Sequence, residues 1–270
     1  MVKRSFLALL CCVFMLCGCE KRVPTDAQLV STAAENALQD AQVYDALSNE
    51  TYAWGMKKNK GAAPDVDAVA SALLEKYGGI YKSNQEKTLY LTFDEGYENG
   101  YTAQILDVLK KTGVPAAFFI TGDYLRTQPE LVRRMAAEGH SVGNHTYNHP
   151  SMPSVTDTEK LADEILSLSM EFTALTGKSM DLIRPPMGEF SERTLAVSRD
   201  LGYKTVLWSF AYVDWQRDKT RGADYAYEQI LPYMHDGAVI LLHAVSKDNA
   251  DVLERMILDL QAQGYTFASL

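Results

Sequence analysis

From residue 88 onward, short apolar runs of strand character alternate with longer stretches whose apolar residues recur every three or four positions. The strand runs are 88–93, 116–120, 140–143, 181–184, 204–208, 238–242 and 265–267, and helical patterns occupy about 99–112, 128–138, 156–176, 191–201, 224–235 and 249–263. In the longest of these helices Leu161, Ile165, Leu168, Phe172 and Leu175 share one side, and Gly177 closes it. Gly113, Gly139, Gly202 and Gly264 likewise stop helices just ahead of strands. Seven strands separated by six helices predict a repeated parallel β/α unit, folded as a closed barrel or as an open sheet.

Ahead of this alternation the pattern is weaker. Residues 28–47 carry a thin line of small apolar residues and predict an accessory helix; Tyr52–Gly61 is aromatic and then basic; Val66, Val69, Leu73 and Leu74 predict a helical face. Trp54 suits either packing or stacking on a sugar. The first residues differ in kind: Lys3 and Arg4 precede an apolar core from Phe6 to Leu16, a pattern too short for an ordinary membrane span and expected of an export leader. Its last four residues, Leu16 to Cys19, resemble the lipobox of bacterial lipoproteins, which implies cleavage before Cys19 and a lipid on its sulfur. Cys11, Cys12 and Cys17 would leave with the leader, so the mature chain would hold one cysteine and no internal disulfide. The division expected is a leader over 1–19, a tether and accessory helix over 20–50, and one α/β domain over 51–270.

Composition adds exclusions. The formal charge of −9 over 270 residues argues against a nucleic-acid partner, and loss of Lys3 and Arg4 would make the mature chain more negative still. Such a chain would hold to a membrane only through a lipid anchor, at the outer face of the cell membrane, or be secreted if the lipobox is not used.

The polar chemistry falls at the carboxyl ends of the expected strands, where the catalytic groups of β/α folds collect. Asp94 and Glu95 end the first strand, with Gly96 expected to turn the chain so that both point into a cleft. An acidic pair there also suits a solvated turn. His145 and His149 follow the third strand, four apart, and one helical turn would let them converge on an ion. Imidazoles with a carboxylate suit a divalent transition metal, zinc first, with cobalt or manganese as alternatives. Arg184, in RPPMG, would lower and orient Asp94, or else bridge loops; Met187 offers a backbone N–H; Asp214 and Trp215 follow the fifth strand and His243 the sixth. His140 and His235 are expected to serve locally.

The ordered set TFDEG (92–96), HTYNH (145–149), RPPMG (184–188), DW (214–215) and LLH (241–243) resembles the five motifs of the polysaccharide deacetylase family, the NodB-type carbohydrate esterases, over residues 86–270. GYENGYT (96–102), RPPMGEFSERTL (184–195), WSFAYVDW (208–215), LLHAVSKDNADVL (241–253) and YAWGMKKN (52–59) are similar to the branch that makes muramic δ-lactam in spore-forming bacteria. The resemblance implies a distorted (β/α) barrel of seven to eight strands with a groove for a peptidoglycan glycan strand; an N-terminal helical extension and a monomer are expected alongside. The resemblance also implies metal-dependent hydrolysis of the N-acetyl group of N-acetylmuramic acid, with N-acetylglucosamine deacetylation, ester hydrolysis and a non-catalytic glycan-binding lipoprotein as alternatives. Asp94 then resembles the general base, His243 the general acid, Arg184 and Asp214 their orienting partners, His145 and His149 the metal ligands, and Trp215 a wall of the acetyl pocket. Glu95 departs from the family pattern, which places an aspartate there as third ligand. Its extra methylene leaves it a ligand in a changed rotamer, a partner through water, or no ligand at all.

Overall fold

The computed structural model describes residues 41–216 and 219–270. The leader, Cys19, the tether and most of the expected 28–47 helix lie outside the described residues. The last turn of that helix, α1 (Ala41–Asp45), does dock on the domain: Tyr44 is buried and its hydroxyl donates to Asp200 Oδ2 at 3.0 Å.

Strand β1 (Tyr52–Ala53) precedes a hairpin of β2 (Met56–Asn59) and β3 (Ala62–Val66), which the sequence pattern did not predict. Helix α2 (Ala68–Lys76) follows, capped by the Asp67 side chain accepting from the Ala70 N–H at 2.8 Å. It buries Ala70 and Leu74. The expected face of Val66 and Val69 is not used, because Val66 belongs to β3 and Val69 is 61% exposed.

The alternation then runs β4 (Thr88–Glu95), α3 (Thr102–Thr112), β5 (Ala116–Ile120), α4 (Gly122–Thr127), α5 (Pro129–Ala137), β6 (Ser141–Asn144), α6 (Thr158–Thr176), β7 (Leu182–Ile183), β8 (Glu189–Phe190), α7 (Glu192–Asp200), β9 (Lys204–Thr205), α8 (Ala223–Ile230), β10 (Val239–His243), α9 (Lys247–Ala262) and β11 (Thr266–Phe267). Seven strands form one parallel sheet in the order β10-β4-β5-β6-β7-β9, with β11 pairing the start of β4. Past β9 the chain stays beside the sheet, and isolated parallel bridges Ile80 to Val206 and Phe210 to Ile240 carry it round to β10. The result is a curled, distorted (β/α) barrel that closes through single bridges instead of a full ladder.

The two faces of β4 follow its period of two. Leu89, Leu91 and Phe93 pack outward under the helices, with Phe93 stacked on Phe118 at 5.2 Å between centroids. Tyr90 turns inward with Ala117, Phe119, Leu182, Val206 and Val239. Phe119 fills the interior so closely that a Cβ on Gly143 would lie 2.6 Å from its ring. The N-terminal segment is tied to the RPPMG loop: β1 pairs antiparallel with β8, and the Trp54 N–H donates to Gly188 O at 2.9 Å. Trp54 is buried, its indole N–H donating to Trp208 O, so it packs and does not line the cleft.

Candidate active site

Asp94 lies inside the mouth of the barrel, where β4 is flanked by β5 and β10. Its register partner on β10 is His243, so two of the expected groups face each other across one interstrand step. Ladder pairing continues one residue further: Glu95 is in register with Ile120 and its carbonyl accepts from the Thr121 N–H. Because the strand does not stop at Phe93, neighbouring residues must point to opposite faces. Glu95 therefore lies on the outward face, with Phe93 and Ile120, and not in the cleft beside Asp94. It is fully buried and neither carboxyl oxygen has a hydrogen-bond partner among the described residues. Burial, reinforced by Glu98 and Asp94 nearby, pushes its carboxyl well above the usual carboxylate range. The structure thus does not bring Glu95 to the two histidines, and among the described residues no three His, Cys, Asp or Glu side chains form a ready metal cluster.

Asp94 is held instead by Arg184, whose Nη1 donates to Oδ1 at 2.6 Å. The guanidinium is fully buried; Nε donates to Val206 O at 3.0 Å, and the group lies over the Phe119 ring at 4.1 Å. Burial favours the protonated form of Asp94, but the charges of Arg184, His145 and His243 and the Arg184 hydrogen bond outweigh it. The carboxyl stays below its ordinary value.

His145 and His149 do converge, although by a different route from a helical turn. The segment is an irregular loop in which Thr146 and His149 take φ of 62° and 59°, left-handed values that are unfavourable for residues with a Cβ. Asn144 anchors it, its Oδ1 accepting from the Thr146 N–H at 2.8 Å. The two rings lie 4.8 Å apart at 73°. His145 Nδ1 donates to Arg184 O at 2.8 Å, which fixes the tautomer and leaves Nε2 as a lone-pair donor 3.6 Å from Asp94 Oδ2. Burial lowers the pKa of both imidazoles, that of His145 to about 4, so both are neutral near pH 7.

On the opposite wall, His243 Nδ1 donates to Asp214 Oδ1 at 2.7 Å, and its backbone N–H donates to Oδ2 at 2.8 Å. Burial disfavours the imidazolium, but the Asp214 charge and hydrogen bond prevail and raise the His243 pKa. Trp215 sets its ring edge-on to His243 at 5.6 Å and is 49% exposed along the cleft. Sequence reasoning missed Asn249. It is fully buried in the first turn of α9, donates to Asp214 Oδ2 at 2.6 Å and to His243 O at 3.1 Å, and accepts from the Tyr212 hydroxyl. The available signal was a buried-type amide two residues past a Lys-Asp helix start, six after His243.

Asp94, His145, His149, Met187, Trp215 and His243 all line one cleft of about 1410 Å³, while Arg184 and Asp214 stand behind it as supports. Met187 sits on its rim, 54% exposed, with φ of 59°. His140 accepts from the Ala116 N–H and His235 bonds Tyr233 O; neither reaches the cleft.

The chain is similar to known proteins in both sequence and fold. The sequence model of a family described as polysaccharide deacetylase matches residues 81–206. The chain is 46% identical over 229 residues to the peptidoglycan-N-acetylmuramic acid deacetylase PdaA of Bacillus subtilis, covering 84% of this chain and 87% of that one. The chain belongs to the polysaccharide deacetylase family. Within the family, the solved structure of PdaA, a family 4 carbohydrate esterase, superposes with a TM-score of 0.80 over 83% of this chain and 96% of that one. A family 4 carbohydrate esterase from Bacillus anthracis is 43% identical, with a TM-score of 0.70 over the same shares. A peptidoglycan-N-acetylglucosamine deacetylase of Bacillus cereus is 34% identical over 202 residues, 73% of this chain and 72% of that one.

Deacetylases of this family use a divalent metal ion. The residues present fit two of its ligands. A metal-binding imidazole characteristically donates its other ring N–H to a carbonyl, as His145 does to Arg184, and both histidines are held neutral by burial. The third protein ligand expected at Glu95 is not supplied by the observed placement.

Proposed function

We propose that this chain hydrolyses the N-acetyl amide of N-acetylmuramic acid in a peptidoglycan glycan strand, releasing acetate and leaving the free amine from which muramic δ-lactam can form. The observation that carries the reading is the pair of oppositely tuned groups facing one another at the strand ends: Asp94, whose pKa Arg184 holds below the carboxylate range, and His243, whose pKa Asp214 raises above the ordinary imidazole value. The 46% identity with PdaA supports muramic acid as the sugar.

A divalent ion, zinc by preference, with cobalt or manganese as alternatives, would be held by His145 and His149; when bound it polarises the acetyl carbonyl and acidifies water. Asp94 removes a proton from the attacking water, and Arg184 keeps its carboxylate aimed and deprotonated. Charge then builds on the former carbonyl oxygen, where the Met187 backbone N–H donates a hydrogen bond. His243 gives its proton to the amide nitrogen as the carbon–nitrogen bond breaks, so amine and acetate leave. Trp215 walls the acetyl group from solvent. Cys19 carries the lipid that keeps the domain at the outer face of the membrane, as a monomer on the glycan.

Acetate release from peptide-free glycan strands, with mass spectrometry to show which sugar loses its acetyl group, tests this reading. Release that a chelator abolishes and zinc, cobalt or manganese restores is the expected result; no release with any of them overturns it. Loss of mass from N-acetylglucosamine alone would change the sugar. One observation, the placement of Glu95 away from the imidazoles, favours a glycan-binding protein without turnover, and the same chelation experiment decides between the two.

A further inference from the structure

The protein carries a formal charge of −9, yet among the described residues the charged side chains along its cleft, histidines aside, are four cations, Lys58, Arg126, Lys219 and Arg221, against two carboxylates, Asp94 and Asp123. Both carboxylates are already matched: Asp94 to Arg184, and Asp123 to Arg126. A cleft of this sign concentrates anions.

Among these cations Lys58 stands apart. It projects from β2, and its ammonium rests 4.8 Å from the Tyr233 ring centroid and 5.4 Å from that of Phe210. Its neighbour Lys57 pairs with Asp65, whereas no carboxylate lies within ion-pair distance of Lys58 among the described residues. The hydroxyl and ring of Tyr225 engage Arg221. Two aromatic faces hold the Lys58 ammonium in place without neutralising it, so its side chain is ordered before a ligand arrives. Phe210 also continues directly into the segment that delivers Asp214 and Trp215, which puts the cation on the same wall as the acid.

We propose that Lys58 is the receptor for a carboxylate on the glycan, the lactyl carboxylate of a muramic acid residue; this rests on the peptidoglycan reading above. Strands of neutral N-acetylhexosamine offer this ammonium no anionic partner, so the contact selects for muramic acid.

The test compares the detergent-solubilised full chain with Lys58→Met and Lys58→Arg on peptide-free glycan strands, native and with their carboxylates converted to methylamides. Amidation should lower wild-type kcat/KM roughly tenfold, the size of one charge-assisted hydrogen bond. Lys58→Met should lose the same factor on native strands, through KM, and be indifferent to amidation, while Lys58→Arg keeps most of the preference. Equal losses by Lys58→Met on both strands, or no loss on either, overturn the assignment, as does a wild-type enzyme blind to amidation. Absence of acetate release from both strands by the wild-type chain overturns the peptidoglycan reading, and this inference with it.

Discussion

Asp94 and His243 are tuned in opposite directions, and the sign of each shift fixes a pH window. In the proposed mechanism Asp94 serves as the base while deprotonated, and its pKa lies below the ordinary carboxylate value. In the same mechanism His243 serves as the acid while protonated, and its pKa lies above the ordinary imidazole value. The profile of kcat/KM should therefore be a bell, lost on the acid side as pH falls through the Asp94 value and on the alkaline side as pH rises through that of His243. Asp214→Asn removes the charge that holds the proton and should move the alkaline limb to lower pH, while Asp94→Asn should cost about 10²–10⁴ in kcat. Glu95 calls for the opposite expectation. Glu95→Gln should leave metal content and kcat within about twofold and raise the thermal midpoint, since it replaces a buried carboxyl without partners by a neutral isostere. A large loss of metal would show that Glu95 turns into the cleft on loading. Asp94, Arg184, His145, His149, Asp214 and His243 were legible because residue type and position at a strand end coincide. Glu95 was not, because adjacency in sequence does not say where a ladder ends, and one further rung sends the side chain to the other face.

Elements transmit this order to the site. Phe119 on β5 lies under the Arg184 guanidinium and against Gly143 on β6, so Gly143→Ala should push the ring and, through it, Arg184. The expected cost is about 1–3 kcal/mol in unfolding free energy, together with a lower kcat, read by denaturant titration and steady-state kinetics. Helix α9 acts through Asn249: Asn249→Ala should lower kcat about tenfold with KM unchanged, because the Asp214 carboxylate loses a buried donor while the cleft wall stays intact. The strand and helix alternation was readable because each buried face repeats with its own period. The hairpin of β2 and β3 was not: Lys57, Lys58, Asn59 and Lys60 lack apolar alternation, and the two strands are held mainly by each other. Helix α4 was hidden for a related reason, being a six-residue segment joined almost directly to α5.

At the scale of the molecule, an acidic body with a basic cleft must be brought to an anionic wall without being bound indiscriminately by it. An anionic membrane surface repels a chain of −9, so the membrane attachment proposed above would depend on the lipid at Cys19. Cys19→Ala should shift the protein from the membrane fraction to the soluble one with kcat on short glycans unchanged, as fractionation and an activity assay would show. The register of β4 and β10 has its own outcome. Asp94 and His243 are register partners across one rung, so their backbones lie one interstrand spacing apart, about 4.8 Å, set by main-chain hydrogen bonds. The amides of that rung are then a reporter of competence: their hydrogen exchange should slow with the global stability of the sheet, and turnover should vanish in the same cooperative transition.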